Sequence, residues 1–284
     1  MQRLPAYYGF WHYVGHYGLR VAVFLILAFL MLPILIIIPL SFNVEPYFSF
    51  TEGMLRLDPV AYSTRWYTEV FDDPRWTLSI KNSFIIGIAA AALATVLGTV
   101  AAVGLSSPVM PFKRLITALL LSPMIVPVII IAAGMFFFYT RFNLVASHLG
   151  LILAHAALGI PFVIITVTAT LTGFDRSLYY AAVGMGASPL KAFWDIVIPL
   201  IRPGVISGGL FAFVTSFDEV VVVLFLAGPG QRTIPRQMFS GLREQINPTI
   251  LAVATMLILI SVALLITLEL LRRRSERIRR GTTV

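Results

Sequence analysis

Residues 21–42 read VAVFLILAFLMLPILIIIPLSF and contain no Asp, Glu, Lys or Arg. This run exceeds the roughly 20 residues that an α-helix needs to cross a bilayer. Four further charge-free runs of sufficient length occupy residues 82–112, 115–140, 142–174 and 246–268. Another run, residues 203–231, is interrupted only by Asp218 and Glu219. The sequence therefore predicts six membrane spans.

The overall composition supports a membrane protein. Charged residues make up 12% of the chain and hydrophobic residues 58%, whereas a soluble domain carries about 25% charged residues. The spans are expected to be helices, because lipid offers no hydrogen-bond partner to an open backbone. We predict an all-α polytopic membrane protein with a single transmembrane domain over residues 1–284. The expected spans are about 20–42, 82–106, 115–139, 149–172, 204–227 and 248–271. The absence of cysteine excludes disulfides and thiolate metal sites.

The distribution of charge predicts the orientation. Six spans put both termini on one side of the membrane, which then holds thirteen Lys and Arg and three acidic residues. The opposite side holds eight Lys and Arg, with six acidic residues in its first loop alone. Basic residues concentrate on the cytoplasmic side, so both termini are expected there. The six arginines between Arg272 and Arg280 fit an anchor beside anionic lipid better than a nucleic-acid site.

A polar segment, residues 174–204, separates the fourth and fifth predicted spans and carries helix signals. Asp175 or Ser177 can cap a first short helix. Gly184 and Gly186 are expected to end this helix, because glycine suits the left-handed residue that follows a helix.

A second short helix is expected directly afterwards. Ser188-Pro189 combines a capping residue with proline at the first helical position. Ile198-Pro199 is expected to end the helix, because proline cannot continue a hydrogen-bonded turn. The two helices would leave Phe193 and Trp194 available on an exposed surface. Such a surface can dock a partner and pass force to the spans, or it can be a connecting segment, and the residues alone leave both readings open.

The residue spacing in this segment resembles the EAA loop of ABC importer permeases. The matching positions are Tyr180-Ala181-Ala182, Gly186-Ala187-Ser188, Phe193, Ile196, Pro199 and Pro203-Gly204. The family pattern runs Glu-Ala-Ala, then Gly four residues on, then a Phe, and finally Leu-Pro. This sequence departs from it in having Tyr180 in place of Glu and Ile198 in place of Leu.

The resemblance implies a type I ABC importer permease fold in which this loop is the coupling helix that inserts into an ATPase subunit. The residues implied in coupling are Tyr180, Ala181, Ala182, Gly186, Ala187, Ser188, Phe193 and Pro199. The sequence has no G-x-x-x-x-G-K-[ST] phosphate loop. ATP and Mg would therefore be bound by the partner subunit, and this chain is expected to be no enzyme and to hold no cofactor or metal.

The same resemblance implies a set of partners and a location. The partners are a companion permease in a heterodimer, two cytoplasmic ATPase subunits and a periplasmic solute-binding protein, with no nucleic acid. The location is the bacterial inner membrane, which the chain crosses several times with both termini in the cytoplasm.

Two carboxylates lie within the fifth predicted span, at Asp218 and Glu219. A charge inside a membrane span is costly and normally faces a cavity or a partner. Adjacent helical residues point about 100° apart, so the two cannot aim at one point. The sequence does not decide which of them faces a pathway. A structural ion pair with an arginine of the companion permease is the alternative role.

The string Thr215–Val221 resembles the Ser-Phe-Asp-[Asp/Glu] segment of spermidine/putrescine permeases. This resemblance implies a small cationic solute. A carboxylate would pair with an ammonium group stripped of water, and aromatic rings would add cation–π attraction. The predicted substrate-pathway residues are Asp218, Glu219, Phe217, Ser216 and Tyr139.

Some spans contain residues that are unusual in an apolar helix. His155 lies in the middle of the fourth span, where a hydrogen bond to a neighbouring helix is favoured over a proton relay. Pro123, Pro127 and Gly134 are expected to break the third span, either beside a substrate route or as packing kinks.

Rival functions remain open from sequence. An ion-coupled secondary carrier could use the same carboxylates with His155, but it offers no use for the polar loop. An importer for another amino compound or for an anion could use Arg232, Arg236 and Arg243. An intramembrane enzyme is disfavoured, because neither H-E-x-x-H nor G-x-S-x-G occurs.

Overall fold

A computed structural model describes residues 9–107, 109–173, 175–244, 247–263 and 266. The regular elements among these residues are helices, with one isolated β-bridge between Asn43 and Tyr62. The α-helices are α1 (Phe10–Leu40), α2 (Glu52–Leu55), α3 (Arg65–Asp72), α4 (Pro74–Ser106), α5 (Lys113–Leu121), α6 (Val128–Thr140), α7 (His148–Thr172), α8 (Arg176–Gly184), α9 (Pro189–Ala192), α10 (Ile198–Asp218), α11 (Val221–Leu226), α12 (Ile234–Glu244) and α13 (Thr249–Ala263).

Four helices are long and apolar enough to cross a membrane within the described part of the chain. They are α1, α4, α7 and the continuous helix Pro189–Asp218. A fifth candidate is the pair Lys113–Met124 and Val128–Thr140, which is bent by 100°. The last predicted span is described only as α13, because its remaining residues lie almost entirely outside the described ranges. The count of six spans therefore stays a prediction.

The third predicted span is broken, as expected, but only at its prolines. A 3₁₀ turn at Ser122–Met124 contains Pro123, and Pro127 stands at the start of α6. Proline lacks the N–H that a continuous helix requires, so the break falls at these residues. The expectation that Gly134 also breaks the span is wrong, because Gly134 lies inside the regular helix α6.

The second short helix of the polar loop does not end at Ile198-Pro199, so that prediction is wrong. α9 continues through a π-helical turn, Phe193–Val197, into α10, and one helix runs from Pro189 to Asp218. Pro199 offers no N–H to the carbonyl of Asp195 and would press its ring against it. The wider π-turn directly before Pro199 accommodates this defect without ending the helix.

The chain divides into two compact units, Asp73–Ser240 and Met1–Asp72 with Gly241–Val284. The prediction of a single domain stays a prediction. In the first-named unit, α4, α7 and α10 pack around a cluster that includes Ala94, Val163 and Ala212. A second cluster joins α6, α7 and α11 through residues such as Leu151 and Val223. α7 belongs to both clusters and is the central helix of the unit.

The other unit contains α1, α2, α3 and α13. The side chains of α1 are exposed along most of its length in this chain, which fits a helix that faces lipid. The indole of Trp66 on α3 is buried and donates a 2.7 Å hydrogen bond to the carbonyl of Asn43. Asn247, before α13, donates to the carboxylate of Glu69 at 3.1 Å. The arginine-rich tail at 272–280 lies outside the described residues.

Candidate functional sites: an exposed loop and a helix break

The first helix of the polar loop, α8, is capped at both ends by residues adjacent to it in the sequence. Asp175 accepts a 2.9 Å hydrogen bond from the amide of Ser177, which lowers the pKa of the Asp175 carboxyl. At the other end, the amide of Gly186 donates to the carbonyl of Val183 at 3.0 Å, and Ala187 donates to Ala182 at 3.1 Å. This pair of bonds is a Schellman motif, and it requires the left-handed φ of +94° that Gly186 adopts. The predicted cap of Asp175 at the start of the helix and the predicted role of Gly186 at its end are confirmed.

The second helix starts where expected. Ser188 accepts a hydrogen bond from the amide of Lys191 at 3.3 Å, and Pro189 occupies the first turn. Phe193 and Tyr179 pack against the core cluster of α4, α7 and α10. Phe193 thus fastens the loop to the bundle and is only partly available to a partner.

Large apolar side chains of this loop are exposed. They are Leu178 (49%), Tyr180 (64%), Met185 (84%), Leu190 (68%) and Trp194 (59%). Of the other residues implied in coupling, Ala181, Gly186, Ser188 and Pro199 are exposed, Ala187 is half-buried and Ala182 is buried. The loop therefore presents an apolar surface on a rigidly capped pair of helices, and we call these five side chains the loop surface.

The predicted fifth span breaks at the two carboxylates. α10 ends at Asp218, the backbone of Glu219 is extended, and α11 begins at Val221. The carboxylate of Glu219 accepts a 2.9 Å hydrogen bond from the amide of Val222, so it caps the first turn of α11. Asp218 is exposed, and among the described residues no hydrogen bond or ion pair engages its carboxylate. The geometry thus separates two carboxylates that the sequence could not tell apart.

The other predicted pathway residues are packed inside the chain and are not grouped around the Asp218 carboxylate. The ring of Phe217 lies between Phe84 and Phe213, with centroids 5.4 Å from each. Ser216 is buried and faces α7. Tyr139 is buried in the cluster that joins α6 to α11. Within this chain, these side chains pack around the helices on either side of the break. Their role in a substrate pathway stays a prediction.

His155 makes the interhelical contact expected of it. Its Nδ1 lies 2.8 Å from the hydroxyl of Ser216, and both residues are buried. Its Nε2 has no partner among the described residues. The hydrogen bond links α7 to α10 two residues before the break.

At the end of the bundle opposite the loop surface, a polar clamp holds the segment between α11 and α12. The buried amide of Asn82 donates to the carbonyls of Gly230 and Arg232, both at 2.9 Å. Its Oδ1 lies 3.0 Å from Nε2 of His148, at the start of α7. Arg236 donates to the carbonyl of Ala227 at 2.8 Å. Burial, and then the neighbouring charge of Arg232, lower the pKa of Arg236.

A series of small residues that the sequence reasoning missed brings α10 close to α7. Gly204, Gly208, Ala212 and Ser216 recur every four residues and are all buried. A Cβ at Gly208 would lie 2.8 Å from the Cα of Val163, and a Cβ at Gly159 would lie 2.9 Å from the Cβ of Ala212. The spacing of small residues was visible in the sequence and is typical of close helix contacts in membranes. We call these four residues the α10 ladder.

A bundle of apolar helices, several of them long enough to cross a membrane, with a capped two-helix loop between two of them is the arrangement of a membrane protein. The family described as "Binding-protein-dependent transport system inner membrane component" matches residues 13–278, and the chain belongs to this family. The all-α fold and the resemblance to ABC importer permeases are thereby confirmed.

Curated relatives agree. The chain is 30% identical to the spermidine/putrescine transport system permease protein PotC of Haemophilus influenzae, over 89% of this chain and 96% of that protein. It is 32% identical to the putrescine transport system permease protein PotI of Escherichia coli K12, over 84% of this chain and 85% of that protein. These relatives confirm the resemblance to the spermidine/putrescine branch.

Solved structures support the fold. A crystal structure of a bacterial ABC transporter involved in the import of the acidic polysaccharide alginate contains a chain with a TM-score of 0.68 and 16% identity. The match covers 95% of this chain and 99% of that chain. A structure of the bacterial alginate ABC transporter with a periplasmic protein bound to an alginate pentasaccharide gives a TM-score of 0.63 at 15% identity. At this identity the likeness concerns the fold alone.

The described residues contain no group of three or more His, Cys, Asp or Glu side chains that could hold a metal ion.

Proposed function

We propose that this chain is a permease subunit of an ATP-driven importer and forms half of the pathway for a small organic cation such as putrescine or spermidine. Membership of the binding-protein-dependent family supports the importer, and the names of the curated relatives support the cation. The proposed location is the bacterial inner membrane with both termini in the cytoplasm. The loop surface then faces the cytoplasm, and the Asn82 clamp faces the periplasm.

The loop surface supports docking to a separate ATPase subunit. Five exposed apolar side chains on two capped helices form a surface that gains free energy when a partner groove covers it. Phe193 connects this surface to the packed core, so a displacement of the loop is passed to α7 and α10. No phosphate-binding loop occurs in the full sequence, so the hydrolysis of ATP is assigned to the partner.

The helix break supports a site for a cation. The last turn of α10 ends in carbonyl groups that carry a partial negative charge, and the exposed Asp218 carboxylate stands at that end. Interrupted membrane helices use such ends to coordinate cations. Glu219 is committed to the first turn of α11, so Asp218 is the carboxylate we assign to the ammonium group.

The remaining partners are proposed on the strength of the family to which the chain belongs. A companion permease supplies the other half of the pathway, and two ATPase subunits dock below. A periplasmic solute-binding protein docks near the Asn82 clamp, where Arg232 and Arg236 add positive charge at the rim. The chain itself transforms no substrate and needs no cofactor in this proposal.

The observation that carries the cationic solute is the exposed Asp218 carboxylate at a break in an apolar helix. The experiment is ATP-driven uptake of putrescine by the complete complex in liposomes, with the binding protein outside and ATP inside. We expect uphill uptake that requires hydrolysable ATP and that spermidine inhibits, whereas glutamate does not. Uptake driven by an ion gradient without ATP would instead favour the secondary carrier.

A further inference from the structure

The contact between α7 and α10 includes one hydrogen bond, between His155 and Ser216, among its described contacts. We call each level at which a residue of the α10 ladder meets α7 a rung, and this one the polar rung. The α10 ladder meets α7 at Thr166 and Thr170, then at Val163, then at Gly159, and finally at His155. The first three rungs are close approaches of small residues, which fix the spacing of the helices but not the rotation of the last turn. Among the described contacts between α7 and α10, only the one between His155 and Ser216 is a hydrogen bond, which constrains both distance and angle.

This polar rung lies beside the helix break. Ser216 precedes Asp218 by two residues, and α10 ends at Asp218. On the far side of the break, Glu219 caps α11 and Val222 and Val223 are fully buried. The turn that carries Asp218 is therefore held from one side by the rung and from the other side by the cap. The other described contacts of the last turn are the ring contacts of Phe217 with Phe84 and Phe213, which are not hydrogen bonds.

We propose that Ser216, through its hydrogen bond to His155, is a positioning residue that aims the Asp218 carboxylate at the solute. The proposal rests on the proposed function, since it assigns Ser216 to the same cation site. Ser216 was expected to line the pathway itself, but its hydroxyl is turned to α7 and is buried. It acts on the solute through Asp218.

A purely structural role predicts a different result from a positioning role. Loss of a packing contact lowers the amount of assembled complex and reduces uptake and ATP hydrolysis together. Loss of a positioning contact leaves hydrolysis in place and reduces the number of solute molecules moved for each ATP hydrolysed. This ratio is therefore the readout, measured on the complete complex in liposomes with putrescine as the probe.

The test compares Ser216→Ala with Thr99→Val. Thr99 is a buried residue of α4 whose hydroxyl has no hydrogen-bond partner among the described residues, so Thr99→Val removes a hydroxyl without removing a hydrogen bond. We expect Ser216→Ala to lower the ratio about fivefold, the equivalent of one ordinary hydrogen bond. Thr99→Val should leave the ratio unchanged. Ser216→Cys keeps the volume of the side chain and should give a smaller drop in the same direction.

A double-variant cycle completes the test. If Ser216 acts through Asp218, the Ser216→Ala/Asp218→Asn variant has the same ratio as Asp218→Asn alone, within about twofold. If the double variant instead lowers the ratio by the product of the two single effects, the two residues act independently and the positioning role is overturned. An unchanged ratio in both Ser216 variants would also overturn it. If Asp218→Asn alone leaves the ratio unchanged, the proposed cation site fails. A defect in Asp218→Asn without one in the Ser216 variants rejects only the positioning role.

Discussion

Replacement of Gly208 by alanine tests how tightly α10 is packed on α7. The added Cβ would stand 2.8 Å from the Cα of Val163 and in contact with the hydroxyl of Thr166. The Cα of Val163 belongs to the backbone of α7 and cannot rotate away. The helices must therefore separate by about 0.6 Å to bring this approach to an ordinary 3.4 Å contact.

The magnitude follows from two opposing terms. Overpacking of a tight contact costs about 1–3 kcal/mol, while alanine gains about 1 kcal/mol over glycine in a helix. The net loss of unfolding free energy is about 0–2 kcal/mol. Gly134→Ala is the matched control, because Gly134 also lies inside a helix but nothing beyond the backbone of that helix and the neighbouring residues lies within 4 Å of the added Cβ. Gly134→Ala gains the helix propensity of alanine without the overpacking cost, so its unfolding free energy should rise by about 1 kcal/mol.

The assay is thermal unfolding of the purified permease complex in detergent. We expect the midpoint temperature to fall or stay level for Gly208→Ala and to rise for Gly134→Ala. The unfolding free energies of the two variants should differ by about 1–3 kcal/mol. An equal rise in both variants would show that α7 and α10 are not in close contact, and the argument built on the α10 ladder would be wrong.

Two further predictions concern the ends of the bundle. Gly186→Ala forces a residue with a Cβ into φ +94° at a cost of about 1–2 kcal/mol. Binding of the ATPase subunit in a pull-down titration should therefore weaken by up to about thirtyfold. Gly184→Ala, at the ordinary helical end of α8, should bind normally, and equal binding by both variants would contradict the capping argument. Asn82→Ala removes two hydrogen bonds to the segment between α11 and α12 and should speed amide exchange across residues 228–236. Ser79→Ala is the control, since the Ser79 hydroxyl donates to the carbonyl of Arg75 within α4 in the described part of the chain. Unchanged exchange in Asn82→Ala would refute the clamp.

The sequence was informative where local chemistry decides the structure. The caps of Asp175, Gly186 and Ser188 depend on residues within a few positions of each other, and all three formed as expected. Charge-free runs located the apolar helices for the same reason, since hydropathy is a property of the segment itself.

The errors arose where a distant partner or a backbone defect decides the structure. Pro199 does not end the helix, because a π-turn absorbs the missing hydrogen bond. The fifth span breaks at Asp218, although its hydropathy continues to residue 227. The different roles of Asp218 and Glu219 depend on the amide of Val222, which the sequence alone did not point to.

The central claim is that Asp218, and not Glu219, meets the cationic solute in an ATP-driven importer. The most direct measurement is the number of putrescine molecules moved per ATP hydrolysed by Asp218→Asn and Glu219→Gln complexes in liposomes. Asp218→Asn should lower this ratio at least about tenfold, as expected for a lost charged hydrogen bond. Glu219→Gln retains an oxygen that can accept from Val222 and should stay within about twofold of the unaltered complex. An unaffected Asp218→Asn complex beside a disabled Glu219→Gln complex would contradict the claim.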